Sequence, residues 1–174
     1  MIIKDIKVEE NIHANYAKSF SIPYLIEAKN IYIASAKKFF APYLKKAWDI
    51  YANSAESFSA PKLKYIWGIN ARSAKSFSVP KLIKAKSMNV DSVKMFSIPE
   101  LRIINYMWAP FVKFFSAPNL VEAQNIFAKS AETFSAPKLK IVQEIHADLA
   151  NFFSVPTLKE AWEIRAYSAE TIEL

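Results

Sequence analysis

The chain has 174 residues, is 52% hydrophobic, contains no cysteine and a single glycine, and carries a formal net charge of +7. Without cysteine it has neither a disulfide framework nor thiolate metal sites, and one glycine rules out a Gly-rich phosphate loop. No apolar run approaches the roughly 18 residues of a membrane span, and the first residues lack the basic start and apolar core of a signal peptide, so a single soluble, cytoplasmic domain over residues 1–174 is expected.

In chain order the sequence is one unit written nine times. Proline falls at 23, 42, 61, 80, 99, 118, 137 and 156, in steps of nineteen residues. A period this strict marks a solenoid in which each unit completes the core of its neighbours. Residues 1–19 are expected to form an N-terminal capping rung, 20–171 eight regular rungs, and 172–174 the start of a tenth. In the cap, Met1 and Lys4 replace Phe and Pro, and Glu9 falls at an inward position. Counted from the phenylalanine of each unit, column 1 is Phe (Phe20, Phe39, Phe58 and onward), column 4 Pro, column 6 Leu, and column 12 Ile or Met. Columns 3, 9, 14 and 17 hold Ala, Val or Ile. Columns 1, 3, 6, 9, 12, 14 and 17, seven in nineteen, are the predicted core.

Period-2 spacing at columns 1 and 3 and again at 12 and 14 predicts two short strands per rung, near columns 1–3 and 11–15. Corners on the column 6 leucine and on the small residue of column 17 connect them. Proline at column 4 closes the first strand. Column 11 carries Asn, Asp and the only glycine, Gly68, which predicts a left-handed corner before the second strand. A helical repeat is the competing reading, given the Pro starts and the many Ala and Lys. It fails because columns 12 and 14 are constant while column 13 between them varies freely, and because nineteen residues are too few for two packed helices. The expected fold is all-β, a parallel β-solenoid of nine rungs, roughly 43 Å long at the usual strand spacing.

The segment Ala36 to Ala52, A-x-x-F-x-A-P-x-L-x-x-A-x-x-I-x-A, resembles the repeat of BspA-like bacterial leucine-rich repeats, and its F-x-x-P-x-L portion looks like the receptor L domain. The resemblance covers nearly the whole chain and implies an LRR-like solenoid with a binding role.

Chemistry has few places to sit. His13 and His146 share column 13 seven rungs apart, about 34 Å, so they cannot form a dyad. The column 2 serines, such as Ser59, Ser78 and Ser97, repeat as small surface residues with no candidate base. Glu144, His146 and Asp148, with Glu163 on the next rung, could hold a divalent cation. However, residues two apart on a strand are about 6.6 Å apart at Cα, and a solvated acidic face is the simpler expectation. No enzyme, cofactor or metal is expected.

Recognition has two candidate surfaces. Outward aromatics recur in columns 10 to 13 and beside them, so Tyr32, Trp48, Tyr51, Trp67, Tyr106, Trp108, Phe111 and Phe127 are the candidates for docking a protein partner. The competing explanation is ladder packing between adjacent rungs. The alternative surface is basic: residues 57–90 contain no Asp or Glu, and Lys62, Lys64, Arg72, Lys81, Lys84 and Lys86 could receive nucleic acid or another polyanion, although they come from columns that point from different sides of the rung. The charge is also graded, with 18 Lys/Arg against 8 Asp/Glu over 1–121 and 5 against 8 over 122–174. A scaffold for a protein partner is the leading expectation. Polyanion binding and self-assembly through a strand edge or the end rungs are the alternatives.

Overall fold

The computed structural model describes residues 6–174, so Met1 and Lys4 of the expected cap lie outside the described residues. Every described strand is parallel to its neighbours, no helix is present among the described residues, and each column pairs with itself one rung along, as in Ser87↔Tyr106 and Asn125↔Glu144. The chain is a β-solenoid of about nine turns. No helix is long and apolar enough to cross a membrane.

All seven expected inward columns are inward. In rung 4, for example, Phe58, Ala60, Leu63, Ile66, Ile69, Ala71 and Ala74 are all buried. Apart from Phe77, the exceptions lie at the ends: Glu9 is exposed, and in the last rung Ala161 is exposed while Leu158, Ile164, Ala166 and Ala169 are only partly covered. Along the axis the column 1 phenylalanines stack face to face. The ring centroids of Phe39 and Phe58 are 4.6 Å apart, and those of Phe115 and Phe134 are 4.6 Å apart with planes 2° from parallel.

The corners are tighter than expected. In most rungs the amide of the column 6 leucine donates to the carbonyl of column 3, as Leu63 does to Ala60 at 3.1 Å, and the amide of column 17 donates to column 14, as Ala74 does to Ala71 at 3.1 Å. Each corner is therefore a four-residue β-turn bounded by two inward side chains. Proline sits at its second position, where a ring-fixed φ is pre-set for the turn and the missing N–H costs nothing. The first strand accordingly lies one residue earlier than predicted, as in Ser57–Ser59, and the second starts earlier and ends at column 13, as in Tyr65–Asn70.

The left-handed corner at column 11 does not exist, since no described residue has a positive φ. Column 11 lies within the strand. The pairing skips column 10, passing from Ala85↔Ile104 to Ser87↔Tyr106, so columns 10 and 11 both face outward and the strand bends there. Gly68 has a different reason to be glycine. An added Cβ would run into Asp49 Oδ1 and come within 3.2 Å of Ser87 Oγ, so the carboxylate of the preceding rung occupies the space.

The sheet of columns 8–13 runs unbroken through nine strands, from Ile12–His13 to Glu163–Arg165. The opposite sheet is split. Four strands end at Ser76–Ser78 and five begin at Met95–Ser97, with no pairing between those two. On the two sides of the split the core is bulky, with Val90, Val93 and Val112 at columns that mostly hold alanine, Val79 and Ile98 at column 3, and Met88 and Met107 at column 12. The extra volume coincides with the break in pairing. Phe77, alone among the column 1 phenylalanines, is only partly buried, and its ring is 5.7 Å from Phe96 with the planes tilted by 28°.

Candidate interaction surfaces

Because the strand bends at columns 10 and 11, the outward aromatics do not share one surface. Columns 7, 8 and 10 line one side of the rod and columns 11 and 13 another. Trp48 and Trp67 are on the first, with centroids 4.9 Å apart. Tyr32, Tyr51, Tyr106, Trp108 and Phe127 are on the second. Phe111 is at the column 14–17 corner, beside Lys75 and Lys94. The eight aromatics expected to dock a partner are thus divided among two surfaces and a corner.

Most of their ring faces are occupied by one another. Tyr32 stacks on His13 at 4.8 Å and on Tyr51 at 4.9 Å. Tyr106, Trp108 and Phe127 form a triangle with centroid separations of 5.4–6.4 Å, closed by the edge of His146 against Phe127 at 4.7 Å. Between the two aromatic groups, Asn89 Nδ2 donates to Asn70 Oδ1 at 2.7 Å. Column 13 is therefore for most of its length a ladder of side chains that stack, pack or hydrogen-bond between adjacent rungs, the arrangement expected of packing between rungs.

The basic residues are brought together better than the sequence suggested. Lys64, Lys84 and Lys86 lie on the first surface with Trp48 and Trp67, and none of the three makes an ion pair among the described residues. Lys62 and Lys81 are around the proline turn. There the ammonium of Lys62 sits 3.9 Å from the centroid of Tyr43, and Lys81 is paired with Glu100. Lys81 holds the Glu100 carboxyl below the usual carboxylate range by hydrogen bond and charge, with Lys64 and Arg102 adding to the field. Only Arg72 is elsewhere, at the opposite corner near Trp108.

Sequence reasoning missed Lys45, Lys46 and Arg102 as members of this surface. Columns 7, 8 and 10 of rungs 3–6 hold Lys45, Lys46, Lys64, Lys84, Lys86 and Arg102, all exposed, and no acid. At their centre is a groove of about 410 Å³ whose walls include Lys46, Tyr65, Trp67, Lys84 and Lys86 and whose floor is Ala47, Ile66 and Ala85. The small column 9 residues make the floor. Beyond rung 6 the same columns turn mixed, with Glu122 and Glu160. Within the groove the column 10 tryptophans are also partly used: Trp67 covers one face of Trp48, and Lys29 Nζ lies 5.5 Å from its centroid.

Of the expected solvated acidic face near His146, the carboxylates of Glu144 and Glu163 are partly exposed but the imidazole is not. His146 is only 7% exposed, in a T-shaped contact with Phe127 on one side and followed by Arg165 in the ladder on the other. Comparison with protein-family models, with curated protein sequences and with solved structures finds no significant match.

Proposed function

We propose that the chain is a non-catalytic binding scaffold whose groove surface, columns 7–10 of rungs 3–6, receives an acidic segment of a partner protein. The observation that carries this reading is the concentration of six exposed cations, with no acid in the same columns, about an apolar-floored groove that has Tyr65 and Trp67 in its walls. Cations on one surface raise the local concentration of an acidic partner and speed its encounter, while the aromatic rim supplies contact area at low entropy cost. The resemblance to bacterial leucine-rich repeats supports the same class of role.

The column 13 aromatics are the weaker docking candidates, because their faces are already stacked. Nucleic acid on the same cationic surface is the second reading, favoured by the presence of at least one cation in each of rungs 3–6 along the axis. Bases would need open ring faces to stack on, and the column 10 tryptophans are stacked on each other, which places it second.

The test is capture from native lysate at low and high salt, with and without nuclease, using the wild type, Lys84→Glu/Lys86→Glu and Trp108→Ala. An acidic protein retained by wild type and Trp108→Ala but lost by the double charge reversal is the expected result. Loss only in Trp108→Ala would move the site to column 13, and nuclease-sensitive material released by salt would favour nucleic acid.

A further inference from the structure

Column 11 places two acids in consecutive rungs at only one point in the chain, Glu144 and Glu163, which are direct partners in the parallel ladder. Like charges directly opposite one another destabilise a sheet, so the pair calls for a cation between them. Arg165 supplies part of one. Its Nε donates to Glu163 Oε1 at 2.8 Å, which holds the Glu163 carboxyl below the usual range and keeps it ionised. The other oxygen of Glu163 and Oε2 of Glu144 turn instead toward the same atom, Nε2 of His146, at 3.8 and 3.7 Å.

Those distances are too long for hydrogen bonds. Both ring nitrogens of His146 are buried with no hydrogen-bond partner, although the residue is 7% exposed. A buried imidazole is normally satisfied, so one whose Nε2 is aimed without contact at two carboxylates needs a reason. The three ligand atoms lie within 4.8 Å of one another. An ion bound at about 2.0–2.2 Å from each of two donors holds them about 3.3–3.6 Å apart in tetrahedral geometry, so small side-chain rotations suffice to close the set.

We propose that Glu144, His146 and Glu163 form a binding site for a first-row divalent transition ion of the Zn2+ kind, with Nε2 and one oxygen of each carboxylate as ligands. The donor set selects the ion class. Imidazole nitrogen favours Zn2+ and its transition-series neighbours over Ca2+ and Mg2+, which take all-oxygen shells. Coordination through Nε2 leaves the ring proton on Nδ1. The ion would compensate the opposed carboxylates and tie rung 8 to rung 9 at the acidic end of the rod, away from the cationic groove. It is a separate site from the proposed docking surface, and either can fail without the other.

The experiment is a Zn2+ titration of the full chain near neutral pH, followed by calorimetry and by imidazole NMR. With only two histidines in the chain, each ring is resolved individually. One equivalent of Zn2+ should bind, the His146 resonances should shift while those of His13 stay, and the thermal midpoint should rise with Zn2+ concentration. His146→Gln should weaken binding by about a hundredfold or more, Glu144→Gln by about tenfold or more, and His13→Gln not at all. The proposal is overturned if no Zn2+ binds up to about 1 mM, or if binding survives unchanged in His146→Gln or, should that variant misfold, in Glu144→Gln.

Discussion

The split in the column 1 sheet can be tested through two phenylalanines that occupy the same column and differ only in what surrounds them. Phe58 is fully buried and stacked on both sides, at 4.6 Å from Phe39 and 5.1 Å from Phe77. Truncating a fully buried phenylalanine costs about 3–5 kcal/mol, and the loss of two aromatic stacks places Phe58→Ala toward the upper end, about 4–5 kcal/mol. Phe77 also has two ring neighbours, Phe58 at 5.1 Å and Phe96 at 5.7 Å across the split, but it is partly solvated already and leaves less of a cavity. Phe77→Ala should cost about 2 kcal/mol. Urea unfolding followed by circular dichroism gives the comparison directly: a difference of about 2 kcal/mol separates the two midpoints by about 1 M at an ordinary slope. Equal losses, or a larger loss for Phe77→Ala, would refute the argument that the ladder is open where the core of rungs 5 and 6 is bulky.

Two further substitutions test local explanations. If Gly68 is required for the space it gives Asp49 rather than for its backbone, Gly68→Ala alone should change stability by less than about 1 kcal/mol, whereas in an Asp49→Ala background it should stabilise by about 0.4–1 kcal/mol, as read from denaturant midpoints. Glu56 lies between Lys37 and Lys75 at 3.4 and 3.5 Å, and the hydrogen bond from Lys37, then the charges of both lysines, hold its carboxyl below its ordinary 4.5. A depressed carboxylate stabilises the fold above its unfolded value and loses that contribution as pH falls through the lower folded value. Melting temperature measured from pH 6 downward should therefore decline less steeply below about pH 4.5 in Glu56→Gln than in the wild type.

The core was legible because nine copies of one unit sample the same environment nine times. A column that stays Phe, Leu or Ile while its neighbours vary can only be inward, and Phe58, Leu63 and Ile69 are. Strand limits were less legible, because column 3 and column 14 each serve two roles: inward side chain and first residue of a β-turn whose last residue is also inward. Periodicity reports the first role and is blind to the second. Gly68 shows the same limit. Its company of Asn and Asp suggested a left-handed turn, whereas the cause is a carboxylate from the previous rung, a contact nineteen residues away that only the register brings together.

How the candidate residues group into surfaces was less legible for a related reason. In a straight strand column 7 faces away from columns 8 and 10, and column 11 away from column 10. The bend at columns 10 and 11 breaks that alternation, gathers Lys45, Lys64, Lys84 and Lys86 on one side with Trp48 and Trp67, and turns Tyr106 and Trp108 to another. A side chain on this rod has its nearest neighbours one rung above and one below, so like residues in a column necessarily meet. For aromatics that meeting is favourable and covers the ring faces, as between Tyr32 and Tyr51; for ammonium groups it is unfavourable and leaves each head in water. Stacked rings have thus already made the contacts that a partner would otherwise provide. The exposed lysines have not, which is why the proposed docking of an oppositely charged partner falls on their surface.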